Sequence, residues 1–272
     1  MSKNPFIRWT IYVGVAIIFA IVCGFLANWQ FNRSDERNGE IALVEQNYDR
    51  EPVPFDEAVT NADVFDPDTE WRPVTLEGQY LPDEQILARN RPHGGSSAFE
   101  VLVPFQLTDG RIMIVNRGWV APGEGTLPDY VPEPPSGESV SVVVRLRPSE
   151  GVPRTGIGAN EGEYLTFKSI NLPTIAEYTG DETITTVYGL MVSEEPAVAE
   201  VPRKVDPPTE DPGPHLSYAI QWILFAIMGM IFIIYIIRTE RAQRREDAGE
   251  APVKVKRRRD KDAEQEDALL DA

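Results

Sequence analysis

Two long apolar runs frame a middle section in which apolar and polar positions come in short, turn-bounded stretches. Residues 9–32 and 216–237 contain no Asp, Glu, Lys or Arg. The 22 residues of the second run make a helix of ~33 Å at ~1.5 Å per residue, which matches a hydrocarbon core of roughly 30 Å. Core helices of soluble proteins rarely run so long without a charge, so the pattern predicts transmembrane helices over 9–32 and 215–237. Between them, strands are expected over 71–80, 85–90, 99–107, 111–120, 140–146, 164–168 and 183–192. Thr108-Asp109-Gly110 between two apolar runs signals a hairpin. Asn171 as cap, with Pro173 in the first turn, marks one short helix over 172–178.

These elements predict an α+β membrane protein: two helices flanking an antiparallel, β-rich domain of barrel or sandwich type over 33–200. Residues 35–48 suggest a polar helix or extension, and 51–69 are acidic and turn-rich. Residues 201–214 hold five prolines, so this linker is expected to be stiff and extended. Residues 238–272 form a charged tail, disordered on composition, whose basic run over 254–261 suits a solvated anchor near anionic lipid.

Charge sets the expected topology. Arg238, Arg241, Arg244 and Arg245 crowd the end of the second helix, which places that end, and with two spans residues 1–8 as well, in the cytoplasm. Residues 33–214 then lie outside and carry 14 Lys and Arg against 33 Asp and Glu, 14 − 33 = −19. Nucleic acid is excluded as a partner on location and sign. Arg33 and Arg37 fall on the outer side, against the positive-inside rule. The first helix lacks a small-x-small cleavage site, and Val22 stands before Cys23 where a lipoprotein has a small residue, so a retained anchor in a bacterial plasma membrane is expected. The single cysteine leaves no role for disulfides.

Catalytic motifs are missing: no glycine-rich phosphate loop, paired cysteines, or nucleophile with a base. No enzyme activity is expected. His93, in Arg91-Pro92-His93-Gly94-Gly95, suggests a solvated loop residue, and the carboxylates suggest surface charge. What remains is the outer boundary, where Trp29-Gln30-Phe31-Asn32-Arg33 leaves one helix and Pro214-His215-Leu216-Ser217-Tyr218-Ala219-Ile220-Gln221-Trp222 begins the other. His215, Tyr218 and Trp222 are spaced i, i+3, i+7 along one helical face. One reading is an interfacial aromatic belt with Arg33 snorkelling. The other is a site for a planar, amphipathic ligand with anionic edges, such as a haem. It would place imidazole on iron, aromatics on the ring and Arg33 at the propionates.

Four segments carry a family resemblance. Leu26-Ala27-Asn28-Trp29-Gln30-Phe31-Asn32-Arg33, the strand Trp71 to Tyr80, Val115-Asn116-Arg117-Gly118-Trp119-Val120 and the run from Pro214 to Trp222 resemble, in order, motifs of the Surf1/Shy1 family. Ala27 and Ala98 stand where that family often has glycine. The resemblance implies an assembly factor for cytochrome c oxidase of the aa3 type, carrying haem a to subunit I with His215 as the ligand. Trp29, Tyr218 and Trp222 would touch the macrocycle or a partner helix, and Arg33 a propionate. A non-haem accessory subunit or scaffold, bound to the oxidase or its supercomplex, is the alternative; an unrelated tethered receptor is a third. Gln30 and Gln221 would face a partner. Arg117 and Trp119 are open between a structural pair with a core indole and a docking surface.

Overall fold

The computed structural model describes residues 5–125, 127–137, 139–152, 158–161 and 164–248; most of the charged tail, with its basic run, lies outside them. The chain divides into two compact units, one from the residues up to Asp35 with those from Gly213 onward, the other Glu36–Pro212.

The first unit is a helix pair, formed by the leading part of α1 (Pro5–Asn47) and by α4 (His215–Asp247). Both helices are long and apolar enough to cross a membrane by length and composition, consistent with a two-span membrane protein. They run antiparallel: Trp9 meets Glu240, Phe19 meets Gly229, and Gln30 meets His215. The meeting face is built from small side chains, with Ala16, Cys23, Ala27 and Ser34 buried on α1 and Ala219 on α4. On α1 their spacing of four or seven residues keeps one seam of the helix toward α4. A Cβ added at Gly229 would lie 3.0 Å from the Phe19 ring. Large apolar side chains such as Ile11, Phe25, Leu224, Phe232 and Tyr235 point outward and are exposed, the reverse of a helix pair built for water.

The second unit is a mixed sheet. Among the described residues its strands are β1 (Val53–Pro54), β2 (Pro73–Tyr80), β3 (Ile86–His93), β4 (Ser96–Leu107), β5 (Ile112–Val120), β6 (Val140–Pro148), β7 (Gly158–Glu161), β8 (Tyr164–Phe167) and β9 (Val187–Glu195), with helices α2 (Phe55–Ala58) and α3 (Leu172–Thr179). Their order is β1-β2-β6-β9-β5-β4-β3-β8-β7. β2 also pairs with β4 through Gly78, Gln79 and Tyr80, which curls the central strands around the core. β3, β8 and β7 continue beyond β4, so the sheet as a whole is not a closed barrel.

The expectation of an antiparallel domain needs correction. β1–β2, β3–β8 and β5–β9 pair in parallel. Parallel neighbours need crossover connections rather than tight hairpins, and the segment through α3 carries the chain across between β8 and β9. β4 and β5 are apolar nearly throughout because both of their faces are covered. Val101, Val103, Phe105, Met113 and Val115 join the main core, while Leu102 and Ile114 join a second core with Phe167, Leu172 and Ile175. Each such side chain contributes about 1.5–3 kcal/mol on burial.

The last turns of α1 belong to this second unit. Asn47 is buried, and its amide donates to the carbonyls of Asp68 and Glu70 at 2.8 and 2.9 Å. Arg145 lies 3.6 Å from the Tyr48 ring centroid and Arg147 3.7 Å from that of Trp71. Arg147 also pairs with Glu70. Trp71 holds a left-handed φ of 68°, a conformation kept for a bulky residue only where its surroundings dictate it.

Candidate functional site

At one end of the helix pair, the first turn of α4 presents His215 to α1. Its Nδ1 lies 3.0 Å from Gln30 Oε1. An amide oxygen accepts, so Nδ1–H donates and the lone pair stays on Nε2. Trp222 shares the partly buried seam with His215 and meets Phe225 edge-on, with ring centroids 5.7 Å apart. Tyr218, Gln221, Trp29 and Arg33 lie on exposed positions. Of the sequence-predicted residues, the structure therefore brings His215 and Gln30 into contact, with Trp222 on the same seam. The i, i+3, i+7 face splits, because the helix contact runs through positions 215, 219 and 222 and turns Tyr218 away.

The N-R-G-W element does its work inside the second unit. β5 pairs Asn116 with Leu102 and Gly118 with Val101, so Arg117 is the extra residue of a β-bulge and both it and Asn116 point into protein. Arg117 is 1% exposed. Its Nε and Nη2 donate to the two oxygens of Glu194 at 3.1 and 2.6 Å, and Nη1 donates to Pro132 O at 2.9 Å. Tyr80 Oη donates to the same carboxylate at 3.1 Å. Burial, then the Glu194 charge, push the Tyr80 phenol well above its ordinary pKa. The docking alternative is thus closed to Arg117 by geometry: the guanidinium is enclosed and its donors are taken by the interior.

Asn116 donates to Glu100 Oε2 at 2.8 Å, and its Oδ1 accepts from Gly118 N at 3.0 Å. Gly118 has φ 126°, and a Cβ there would sit 2.3 Å from Arg203 O. This glycine is what lets the proline-rich segment close onto β5, where Trp119 and Arg203 exchange backbone hydrogen bonds. Trp119 is partly buried, its indole donating to Lys204 O at 3.1 Å. Arg37 grips the same segment further on, donating to Thr209 O at 2.6 Å and Asp211 O at 3.2 Å. Those bonds make Arg37 a clamp on the backbone of the proline-rich segment.

His93 is not a solvated loop residue. β3 carries an extra residue between Ala88 and Arg91 and continues to His93, with the turn at Gly94 and Gly95. That bulge turns the imidazole inward, 9% exposed, with Nε2 2.9 Å from Glu100 Oε1 and the ring stacked on Trp119 at 5.2 Å. Arg91 Nε approaches the same oxygen at 3.0 Å in ion-pair rather than hydrogen-bond geometry, while its Nη atoms hold Glu150 at 2.7 and 3.1 Å. Burial opposes ionisation of Glu150, but Arg91 and the Ile170 N–H outweigh it and hold the carboxyl below its usual range.

A family model, described as the SURF1 family, matches residues 17–227 of the chain. The chain belongs to the SURF1 family. An uncharacterised SURF1-like protein of Mycobacterium tuberculosis is 36% identical over 247 residues, spanning 90% of this chain and 89% of that one. The cytochrome oxidase assembly protein Shy1 of Saccharomyces cerevisiae is 29% identical over 143 residues, 51% of this chain and 36% of its own. A SURF1-like protein of Rickettsia felis is 22% identical over 227 residues, 82% of this chain and 94% of its own.

In this SURF1 family member, Glu100 and Glu194 escaped sequence reasoning, which took the carboxylates as surface charge. Both are buried. For Glu100 the available signal was an acid set inside an apolar strand, Ala98-Phe99-Glu100-Val101-Leu102, whereas Glu194, between Ser193 and Glu195 at a strand end, carried no such signal. A lone acid in such a run requires an internal cation or donor, and Arg117 and Asn116 were the polar residues embedded in the neighbouring strand.

Proposed function

We propose that this chain is a two-span, membrane-tethered assembly factor for a cytochrome c oxidase of the aa3 type, which holds haem a on its way to subunit I. The yeast relative's role as a cytochrome oxidase assembly protein supports the assembly reading. In this reading the membrane is a bacterial plasma membrane, and both termini are cytoplasmic with the sheet-rich unit extracytoplasmic, an orientation that the arginines after position 237 suggest. The observation that supports a haem-handling site is the His215–Gln30 hydrogen bond. A metal-binding imidazole commonly donates its second ring N–H to a carbonyl or carboxylate, which fixes the tautomer and raises ligand basicity. Here the Gln30 amide plays that part and leaves Nε2 for iron. Trp222 and Trp29 would flank the macrocycle, with Tyr218 beside it and Arg33 at a propionate. A carrier must release its cargo, so affinity is modest by design.

The test is a visible spectrum of protein purified from cells that make haem a, with His215→Ala and Gln30→Ala alongside. A haem signal is expected in the parent, lost in His215→Ala and weakened by roughly 10–100-fold in affinity in Gln30→Ala. Equal signals in parent and His215→Ala, or none in either, would overturn the carrier mechanism. A second reading, an accessory subunit that docks on the oxidase without haem, is favoured by one feature: Trp29, Tyr218 and Leu216 are exposed near the His215 end of the pair, where a partner helix could cover them. It predicts oxidase subunits co-purifying at fixed stoichiometry without haem on this chain.

A further inference from the structure

The opposite end of the helix pair carries a polar cluster that neither reading uses. Trp9 Nε1 donates to Glu240 Oε2 at 3.0 Å, and Glu240 Oε1 receives Arg8 Nη2 at 3.2 Å and Arg244 Nη2 at 3.1 Å. One carboxylate thus serves an indole and two guanidiniums, leaving that group with an excess positive charge. The indole hydrogen bond also fixes the ring, whose face lies under Arg241 with the guanidinium carbon 4.6 Å from the centroid. Arg238, Arg241 and Arg245 are exposed and spaced i, i+3, i+7, so they line one face of α4. None of the three has an acidic partner among the described residues. They begin directly after Ile237, the last residue of the charge-free run.

We propose that this face, with Arg241 seated on Trp9, binds the phosphate of an anionic glycerophospholipid. A guanidinium stacked on an aromatic ring keeps its planar fork free for bidentate hydrogen bonds to phosphate. An indole at the boundary of an apolar span suits the depth of a lipid headgroup, and adjacent arginines raise the local concentration of anionic lipid. The helix pair contributes what a basic tail lacks: Trp9 from α1 and the arginines from α4 are held together through Glu240. The proposal rests on the two-span reading and is independent of haem.

The full chain is reconstituted into phosphatidylcholine vesicles with and without phosphatidylglycerol, and association of spin-labelled forms of each lipid is compared. Labelled phosphatidylglycerol is expected to be preferred by roughly fivefold or more, the effect of about one well-placed arginine. The combined variant Arg238→Gln, Arg241→Gln, Arg245→Gln should bring the ratio close to one. Replacing the same three by lysine should give an intermediate ratio, because charge remains and the fork is lost. A ratio of one in the parent, or an unchanged ratio in the glutamine variant, overturns the site. Displacement of labelled lipid by millimolar inorganic phosphate would assign the cluster to a soluble anion and overturn the lipid source. Recovery of the protein by alkaline extraction from both vesicle types would overturn the two-span reading itself, and this site with it.

Discussion

At the residue scale, the buried pair of Arg117 and Glu194 decides more than any surface charge. Removing either partner leaves the other enclosed with its hydrogen bonds broken, which costs about 3–5 kcal/mol. Arg117→Ala and Glu194→Ala should each lower the denaturant midpoint of the sheet-rich unit by that equivalent. Arg117→Lys should recover little of the loss, because one ammonium cannot reproduce two parallel bonds to Glu194 together with one to Pro132. Far-ultraviolet circular dichroism of the detergent-solubilised chain against denaturant measures all three, and a midpoint unchanged in Arg117→Ala would refute the assignment. Gly118→Ala tests a different force. The left-handed φ and the 2.3 Å approach of Arg203 O predict that it dislodges the segment around Arg203, increasing proteolysis there more than it lowers global stability.

At the scale of elements, the proline-rich segment is held at two places, by Trp119 and Gly118 near position 203 and by Arg37 near 209–211. Arg37→Ala removes the second grip, and hydrogen exchange at the amides of Thr209, Glu210 and Asp211 should accelerate while the strands of the sheet stay protected. Unchanged exchange there would show that the prolines alone stiffen the segment. Hydrophobic patterning made most strands legible: the runs over 71–80, 99–107, 111–120 and 140–146 each became a strand within a few residues. What escaped was pairing direction and side-chain facing. A parallel neighbour depends on where the chain returns after α3, which no local pattern encodes. The bulges at Ala88–Arg91 and at Arg117 each insert one residue and reverse the facing beyond it. The strand expected over 85–90 stops short of His93 and so puts it in a loop, whereas past the bulge the strand continues to it; Arg117, at the other bulge, is left open by the sequence. At the helix ends, His215 and Gln30 were legible as candidates because polar groups at that depth need partners, whereas the splitting of Tyr218 from His215 follows from the seam between two helices.

For the whole molecule, two kinds of group set the pH range of the sheet-rich unit. Glu150 is held below its ordinary pKa in the fold, so the unfolded chain binds its proton more tightly. Its contribution to stability is complete above about pH 4.5, the unfolded value, and is lost as pH falls through the lower folded value. Tyr188 behaves in the opposite sense, since burial raises its phenol from 10.0 to about 12. The folded state keeps that proton longer, so stability is complete below pH 10 and declines between about pH 10 and 12, with Tyr80 adding in the same direction. Denaturant midpoints across this range should form a plateau falling at both ends, and Tyr188→Phe should flatten the alkaline side. A further consequence follows from the contact between Gln30 and His215, which are separated by 185 positions. At synthesis rates of roughly 5–20 residues per second, the histidine leaves the ribosome about 10–40 s after the glutamine. The pair can therefore close only after the entire sheet-rich unit has been made, so any group that it held in the proposed reading would have to arrive after that unit.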